Sequence, residues 1–204
     1  MRLTLALLAA LLTAGVLPGC TLVPAEETTN LEPGVPSASG TTISSGSSSG
    51  TLADEFPGCD EPAEAAAWRA EVLALVNHER AIRGLAALQW NGTLEAQAEQ
   101  YACEMIYHDF FDHVNPVTGS ELPDRSAEFG YVYSAIGENL AAGQQTPVQV
   151  VRAWMDSAGH RANILNEYFT ELGVGVRTGG QYGIYWVQEF GRPLSAAYQR
   201  AFVP

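Results

Sequence analysis

The sequence predicts an α+β domain in which helices are layered on an antiparallel sheet. Apolar residues recur at helical spacing from about residue 64 onward, through the first half of the folded part. Near the end of the chain the spacing changes to alternation, which is typical of paired strands. Helices followed by an antiparallel hairpin are the pattern of an α+β fold. The 204 residues suffice for one such domain with a leader and a linker in front of it.

The first 19 residues are predicted to be a signal peptide of the lipoprotein type. Arg2 provides a basic start, and residues 3–17 are almost entirely apolar. This stretch is too short for a stable membrane span and has the length of a signal peptide. It ends at Cys20, which follows the small residue Gly19 as in a lipobox. We therefore expect an exported protein anchored to a membrane through lipidated Cys20, with ordinary cleavage and secretion as the alternative.

Residues 20–62 are predicted to form a flexible, acidic linker rich in Ser, Thr, Gly and Pro. The run at 41–50 has too little apolar surface to fold. All ten basic residues of the chain are arginine, against 23 acids, and the formal net charge is −13. Because no basic stripe is present, we expect no nucleic-acid partner. The folded domain is predicted to occupy residues 63–204.

Several helices are predicted ahead of the sheet. The first spans about residues 64–83 and ends at Gly84, and the second spans about residues 93–108. A short helix is expected within residues 119–129. The Thr-Pro-Val-Gln motif at residues 146–149 is a capping box with proline at the first helical position, so another helix begins there.

Two strands are predicted at the end of the domain. Residues 172–176 alternate between apolar side chains and glycine, and residues 181–190 alternate again after a tight turn at Gly179-Gly180. The glycines at 173 and 175 leave one face of the first strand nearly bare. We therefore expect another element to pack closely against that face.

The three cysteines fit an exported protein. If Cys20 carries lipid, Cys59 and Cys103 remain as an even pair, and outside the cytoplasm two such thiols are expected to form a disulfide. The alternative is a pair of free thiols, with Cys103 serving as a small buried group on a helix.

The carboxylate of Glu138 and the imidazoles of His113 and His160 stand at positions that the helix and strand spacing of the chain does not explain. Two neutral imidazoles with an adjacent carboxylate would make an open zinc-type site. Without metal, the same trio is a hydrogen-bonded cluster in which Glu138 raises the histidine pKa values. The third interpretation is that Glu138 ties down a loop while the histidines fill a cleft floor.

Blocks of sequence along the folded part resemble those of bacterial CAP domains, the superfamily of cysteine-rich secretory proteins, antigen 5 and pathogenesis-related proteins, also called SCP-like. The resemblance covers about residues 68–191 and implies an α-β-α sandwich. The blocks that carry it are Leu75-Val76-Asn77-His78-Glu79-Arg80, Leu88-Gln89-Trp90-Asn91, His113, Gly137-Glu138-Asn139-Leu140, Gly159-His160-Arg161-Ala162-Asn163-Ile164-Leu165, Glu171-Leu172-Gly173-Val174-Gly175-Val176 and Trp186-Val187-Gln188-Glu189-Phe190-Gly191.

The resemblance implies a cleft that holds two histidines and two acids. By motif, His113 and His160 match the histidines, and Glu138 matches the acid of the Gly-Glu-Asn segment. The chain departs from the family at the second acid, because the loop that carries it in eukaryotic members is missing here. Asp156 is close in sequence but does not match by motif.

Three functions are compatible with these residues. The first is a surface binding module whose cleft takes a lipid, a sterol or a cell-envelope macromolecule, as the resemblance implies. The second is a structural or adhesive domain. The third is a metal-assisted, peptidase-like hydrolase with Glu138 as base and the two histidines as ligands of a divalent metal such as zinc. The chain has no His-Glu-x-x-His helix, so we favour binding over catalysis and assign no catalytic residue.

Overall fold

The structure is a computed structural model that describes residues 23–24 and 51–195. The predicted signal peptide, Cys20 and most of the predicted linker lie outside these residues. The described helices are α1 (Leu52–Glu55), α2 (Ala65–Ala81), α3 (Gly92–Tyr107), α4 (Leu122–Glu128), α5 (Pro147–Asp156) and α6 (Ala158–Ile164). The described strands are β1 (Val23–Pro24), β2 (Gln89–Trp90), β3 (Tyr133–Ala142), β4 (Glu171–Gly179) and β5 (Gly183–Pro193).

The strands form one sheet in the order β1-β3-β5-β4-β2. The three long strands are antiparallel neighbours, with β5 between β3 and β4. The two-residue β2 runs parallel to β4, so the sheet is mixed at this edge. The predicted hairpin is confirmed: β4 and β5 pair up to the turn, where Gly179 lies opposite Gly183.

Helices α2, α5 and α6 cover one face of the sheet and enclose the larger core. The helix predicted from the capping box is confirmed as α5. Its Trp154 is 1 % exposed, and the indole nitrogen donates to the Leu140 carbonyl oxygen at 3.2 Å. Trp68 of α2 stacks at a tilt on buried Trp186 of β5, with ring centroids 5.6 Å apart. Tertiary packing of these apolar faces supplies most of the stability of such helices.

Helix α3 covers the opposite face, against the glycines of β4. A Cβ built on Gly175 would lie 2.6 Å from the backbone nitrogen of Glu99, and one built on Gly173 would overlap the backbone at Leu94 and Glu95. The sheet is therefore sandwiched between two helical layers, as the sequence predicts. The α-β-α sandwich and the close approach at the glycines are both confirmed.

The predicted disulfide between Cys59 and Cys103 is confirmed, with the two Cα atoms 5.3 Å apart and both residues fully buried. The disulfide holds residues 51–62 against α3. This segment was predicted to be part of the linker. Phe56 of this segment is 8 % exposed, and Asp60 forms an antiparallel bridge with Thr178 of β4.

Two elements that shape the site were not predicted from the sequence, β3 and α6. Glu138 was expected in a loop, and this expectation is wrong, because Glu138 lies in the middle of β3. The strand mixes small, polar and apolar residues and lies between β1 and β5, so it shows no simple alternation. Within the part of the chain that the structure describes, no helix is long and apolar enough to cross a membrane.

Candidate functional site

The structure brings Glu138 and His113 into direct contact. Nδ1 of His113, which follows α3 in a loop, donates to Oε1 of Glu138 at 2.7 Å. The carboxylate side chain is only 3 % exposed, whereas the imidazole is 34 % exposed. The buried acid therefore orients a partly exposed histidine, because the bond to Nδ1 leaves Nε2 as the ring nitrogen available to a ligand.

The second oxygen of Glu138 binds Arg125 of α4, a residue that sequence reasoning missed. Nη2 of Arg125 lies 2.6 Å from Oε2, and the pair is buried. Nη1 donates to the carbonyl oxygens of His113 and Ser120 at 3.2 and 3.4 Å. The guanidinium also lies over the Tyr101 ring of α3, 3.5 Å from its centroid. Arg125 thus holds both the acid and the loop that carries the histidine.

The third predicted residue, His160, belongs to α6, whose backbone is tied to β3 by the neighbouring asparagines. Asn139, on the opposite face of β3 from Glu138, donates to the His160 carbonyl oxygen at 3.1 Å. Asn163 of α6 donates to the Glu138 carbonyl oxygen at 3.0 Å. We call His113, Arg125, Glu138 and His160 the histidine cluster.

The environments of the two imidazoles shift their pKa values in opposite directions. Hydrogen bonding to Glu138 raises the pKa of His113 above its ordinary 6.5, against the opposing effect of burial. Burial lowers the pKa of His160, and the charge of His113 lowers it further. The charged form is therefore more favoured in His113 than in His160.

Each residue of the Gly137-Glu138-Asn139 segment has a structural role. A Cβ on Gly137 would lie 2.7 Å from the Phe169 ring, so the position requires glycine. Asn139 also donates to the Gln188 side chain at 2.9 Å, which joins β3 to β5 beneath α6. The segment thus combines a packing constraint, a buried amide network and the acid of the cluster.

A second acid, Glu189 of β5, lies beside Glu138 and was not selected as a site residue. The two glutamates are opposite each other in the β3–β5 register, and Glu189 is fully buried. One signal was present in the sequence, an acid inside the apolar run that forms β5. Arg125 had no comparable signal, because an arginine on a short helix is ordinarily a surface residue.

The donor set does not fit a three-ligand metal site. Glu138 would be the third ligand beside His113 and His160, but both of its oxygens are engaged, one by His113 and one by Arg125. Among residues 23–24 and 51–195, no group of three or more His, Cys, Asp or Glu side chains is arranged to hold a metal ion. Clefts of about 310 and 370 Å³ lie around Arg69, away from the cluster.

Residues 73–190 match the cysteine-rich secretory protein family, CAP. Among curated proteins, YkwD of Bacillus subtilis (strain 168) is 43% identical over 129 residues, which make up 63% of this chain and 49% of YkwD. The chain therefore spans about half the length of this relative.

Solved structures show the same fold. An extracellular protein containing a SCP domain from Bacillus anthracis (strain Ames) is 31% identical, with a TM-score of 0.56, over 62% of this chain and 41% of that one. An outer surface protein of Borrelia burgdorferi is 21% identical, with a TM-score of 0.60, over 67% of this chain and 99% of that one. At that identity the second likeness concerns the fold alone.

Proposed function

The chain belongs to the cysteine-rich secretory protein family, and from this premise we propose that it is an exported, lipid-anchored module that binds an amphipathic ligand at the histidine cluster. The observation that carries this proposal is a partly exposed His113 held by the buried Glu138–Arg125 pair. A polar group fixed by buried partners is a common way to orient a ligand's polar end.

The loop around His113 supplies apolar surface for the rest of such a ligand. Phe111, Val114 and Val117 are 40 %, 41 % and 61 % exposed. Exposed apolar side chains grouped near a polar site are typical of binding surfaces rather than of inert loops. A lipid or a sterol presents this combination of one polar end and an apolar body.

Hydrolysis receives less support from the geometry. A general base must accept a proton from water or substrate, and Glu138 accepts from His113 and Arg125 instead. Within the described residues, neither the cluster nor its neighbours form the three-ligand site that metal-assisted hydrolysis would need.

Export and anchoring are proposed from the leader sequence and the cysteines. The predicted signal peptide precedes Cys20 in a lipobox-like context, and the buried Cys59–Cys103 disulfide is typical of an oxidising compartment. The similar protein from Bacillus anthracis is described as an extracellular protein. The predicted linker ahead of residue 51 would let the module reach a ligand at the cell envelope, about 30 Å from its anchor.

The binding proposal is tested with a fluorescent sterol and a fluorescent short-chain phospholipid, each added as monomers. All proteins carry Cys20→Ala, so that an attached lipid does not contribute to binding. The test variant is His113→Ala/His160→Ala, and the matched control is His78→Ala/His108→Ala, which removes the other two of the four histidines.

We expect one of the two probes to bind, and its affinity to fall at least about tenfold in the test variant but not in the control. Thermal unfolding of both variants shows that the fold is retained. If neither probe binds, or if both double variants lose affinity equally, the proposed function is wrong.

A further inference from the structure

Glu189 is a buried acid that the histidine cluster does not use directly. Its side chain is fully buried on the face of β5 that α3 covers, opposite Glu138 of β3. The residue opposite it on β4 is Gly173, which contributes no side chain. Glu189 is therefore enclosed between the sheet and α3, without contact with solvent.

This carboxylate has no donor at full hydrogen-bond geometry. Within the described residues, neither oxygen of Glu189 has a hydrogen-bond partner, and the buried Oε1 of Gln97 also has none. Arg125, the cation next to it, directs Nη2 to Glu138 and Nη1 to backbone carbonyl oxygens, and its buried Nε has no partner within the described residues. An ionised carboxylate left in this position would be strongly disfavoured, because burial removes its water without supplying donors.

A protonated Glu189 would pair two of the unpaired atoms, one of its own oxygens and Oε1 of Gln97. Gln97 donates through Nε2 to the Ser126 hydroxyl at 3.3 Å, and its side chain lies close enough to Glu189 to interact with it. Its buried Oε1 has no partner within the described residues. A carboxylic acid O–H is the donor that this acceptor needs. We propose that Glu189 carries a proton at neutral pH, donates it to Gln97 in a hydrogen bond, and acts as a second acid beneath the histidine cluster that leaves Arg125 to Glu138.

The groups that face Glu189 agree with this assignment. They are Gln97 on α3, Arg125 on α4 and Glu138 on β3. Burial raises the pKa of Glu189 well above its ordinary 4.5, and the charge of Glu138 raises it further, against smaller opposing effects of Arg125 and Gln97. One cation thus stands between two carboxyl groups, of which it neutralises one.

The consequence for the site is that Glu189 is a positioning residue. While it is neutral it does not compete for Arg125, so Glu138 stays bound to Arg125 and orients His113. Ionised Glu189 would draw Arg125 away from Glu138. This effect on ligand binding rests on the proposed function, whereas the protonation of Glu189 does not.

The test uses the full chain with ¹³C-labelled glutamate carboxyl groups, as wild type, Glu189→Gln and Glu138→Gln. We expect one carboxyl resonance to keep its protonated position at about pH 7 and to be missing only in Glu189→Gln. We expect the pKa of His113 to be unchanged in Glu189→Gln and lowered in Glu138→Gln. If every glutamate resonance is ionised at about pH 7, the proposal is overturned.

Stability provides a second readout. Because the pKa of Glu189 is raised in the folded state, wild type should lose stability relative to Glu189→Gln as pH rises from about 5 to about 8. The difference in unfolding temperature should therefore grow in favour of the variant. An ion pair between Glu189 and Arg125 would instead keep Glu189 ionised in both the folded and the unfolded state over this range, so the difference would not grow with pH, and this result would overturn the proposal. Failure of the lipid probes to bind would bear on the proposed function alone.

Discussion

Glu138 determines how the two histidines of the cluster differ. Its Oε1 accepts from His113 and its Oε2 from Arg125, so the charge of the acid is shared between a fixed cation and a titratable group. The pKa of His160 is instead affected by burial and by the charge of His113. At the scale of single residues, the structure therefore predicts two histidines that titrate in different pH ranges.

We predict that His113 titrates above 6.5 and His160 below it, as followed by ¹H–¹⁵N spectra of the imidazoles. Since the pKa of His113 is raised on folding, the stability from the His113–Glu138 pair is fully present below about pH 6.5, the ordinary histidine value. That stability is lost as pH rises through the folded-state pKa.

The variant His113→Gln should raise the pKa of His160, because it removes the nearby positive charge. Glu138→Gln should lower the pKa of His113, whereas His78→Gln, on α2, should change neither histidine of the cluster. Titration of His113 and His160 at one common pH would contradict this account of their environments.

The sequence predicted the three motif residues of the site but not the groups that hold them. His113, Glu138 and His160 were found because they match blocks that occur in a fixed order along the chain. Arg125 stands in a segment with no motif, and its role depends on the path of the chain between α3 and β3. Whether Glu189 faces α3 or the other layer depends on the β3–β5 register, which only tertiary pairing specifies.

At the scale of elements, the contact between α3 and β4 decides how closely the layers of the sandwich approach. The α3 backbone lies directly over Gly173 and Gly175, so any side chain at these positions would push the helix away from the sheet. Displacing α3 would move Tyr101, which stacks on Arg125, and Cys103, which forms the disulfide. The glycines of β4 thus affect the geometry of the distant histidine cluster.

We predict that Gly175→Ala lowers the free energy of unfolding by about 1–3 kcal/mol, the usual range for overpacking a well-filled core. The matched control is Gly92→Ala at the start of α3, where a Cβ would meet nothing within 4 Å. That variant should be neutral or slightly stabilising, since alanine is the better helix former. Denaturant unfolding measures both, and equal stability of the two variants would contradict the close packing at Gly175.

Elements with a strong local pattern were predicted well, and those without one were missed. The capping box at Thr146 correctly marked α5, whose Thr146 side chain accepts from the Gln149 backbone nitrogen. The β4–β5 hairpin was evident from its alternation. In β3 and the seven-residue α6, too few apolar residues recur at regular spacing to indicate a strand or a helix. The structure of both elements depends on the neighbours against which they pair or pack.

At the scale of the whole molecule, the protein is proposed to combine a membrane anchor, a spacer and a binding domain. The disulfide between Cys59 and Cys103 ties the segment before α2 to α3, so any force on the leader side would reach the domain through this covalent link. Of the three cysteines, Cys20 lies outside the described residues and is left for lipidation.

We predict that Cys20→Ala releases the protein from the membrane fraction while leaving the domain folded. Fractionation of cells that express wild type and the variant, together with mass spectrometry of the mature N-terminus, measures this directly. The neighbouring substitution Thr21→Ala is the matched control and should leave the protein in the membrane fraction. A Cys20→Ala variant that stays membrane-bound, or a wild type without lipid, would show that Cys20 is not the anchor.

The most direct measurement is to follow the imidazole resonances of all four histidines while the unanchored Cys20→Ala protein is titrated with the sterol and the short-chain phospholipid. The account predicts that one of these probes shifts His113 and His160 together, with saturation, and leaves His78 and His108 unchanged. Both cluster histidines should respond because each lies beside the proposed site of the ligand's polar end. If the probes shift no histidine, or shift His78 and His108 as much as the cluster, then the histidine cluster is not a ligand-binding site.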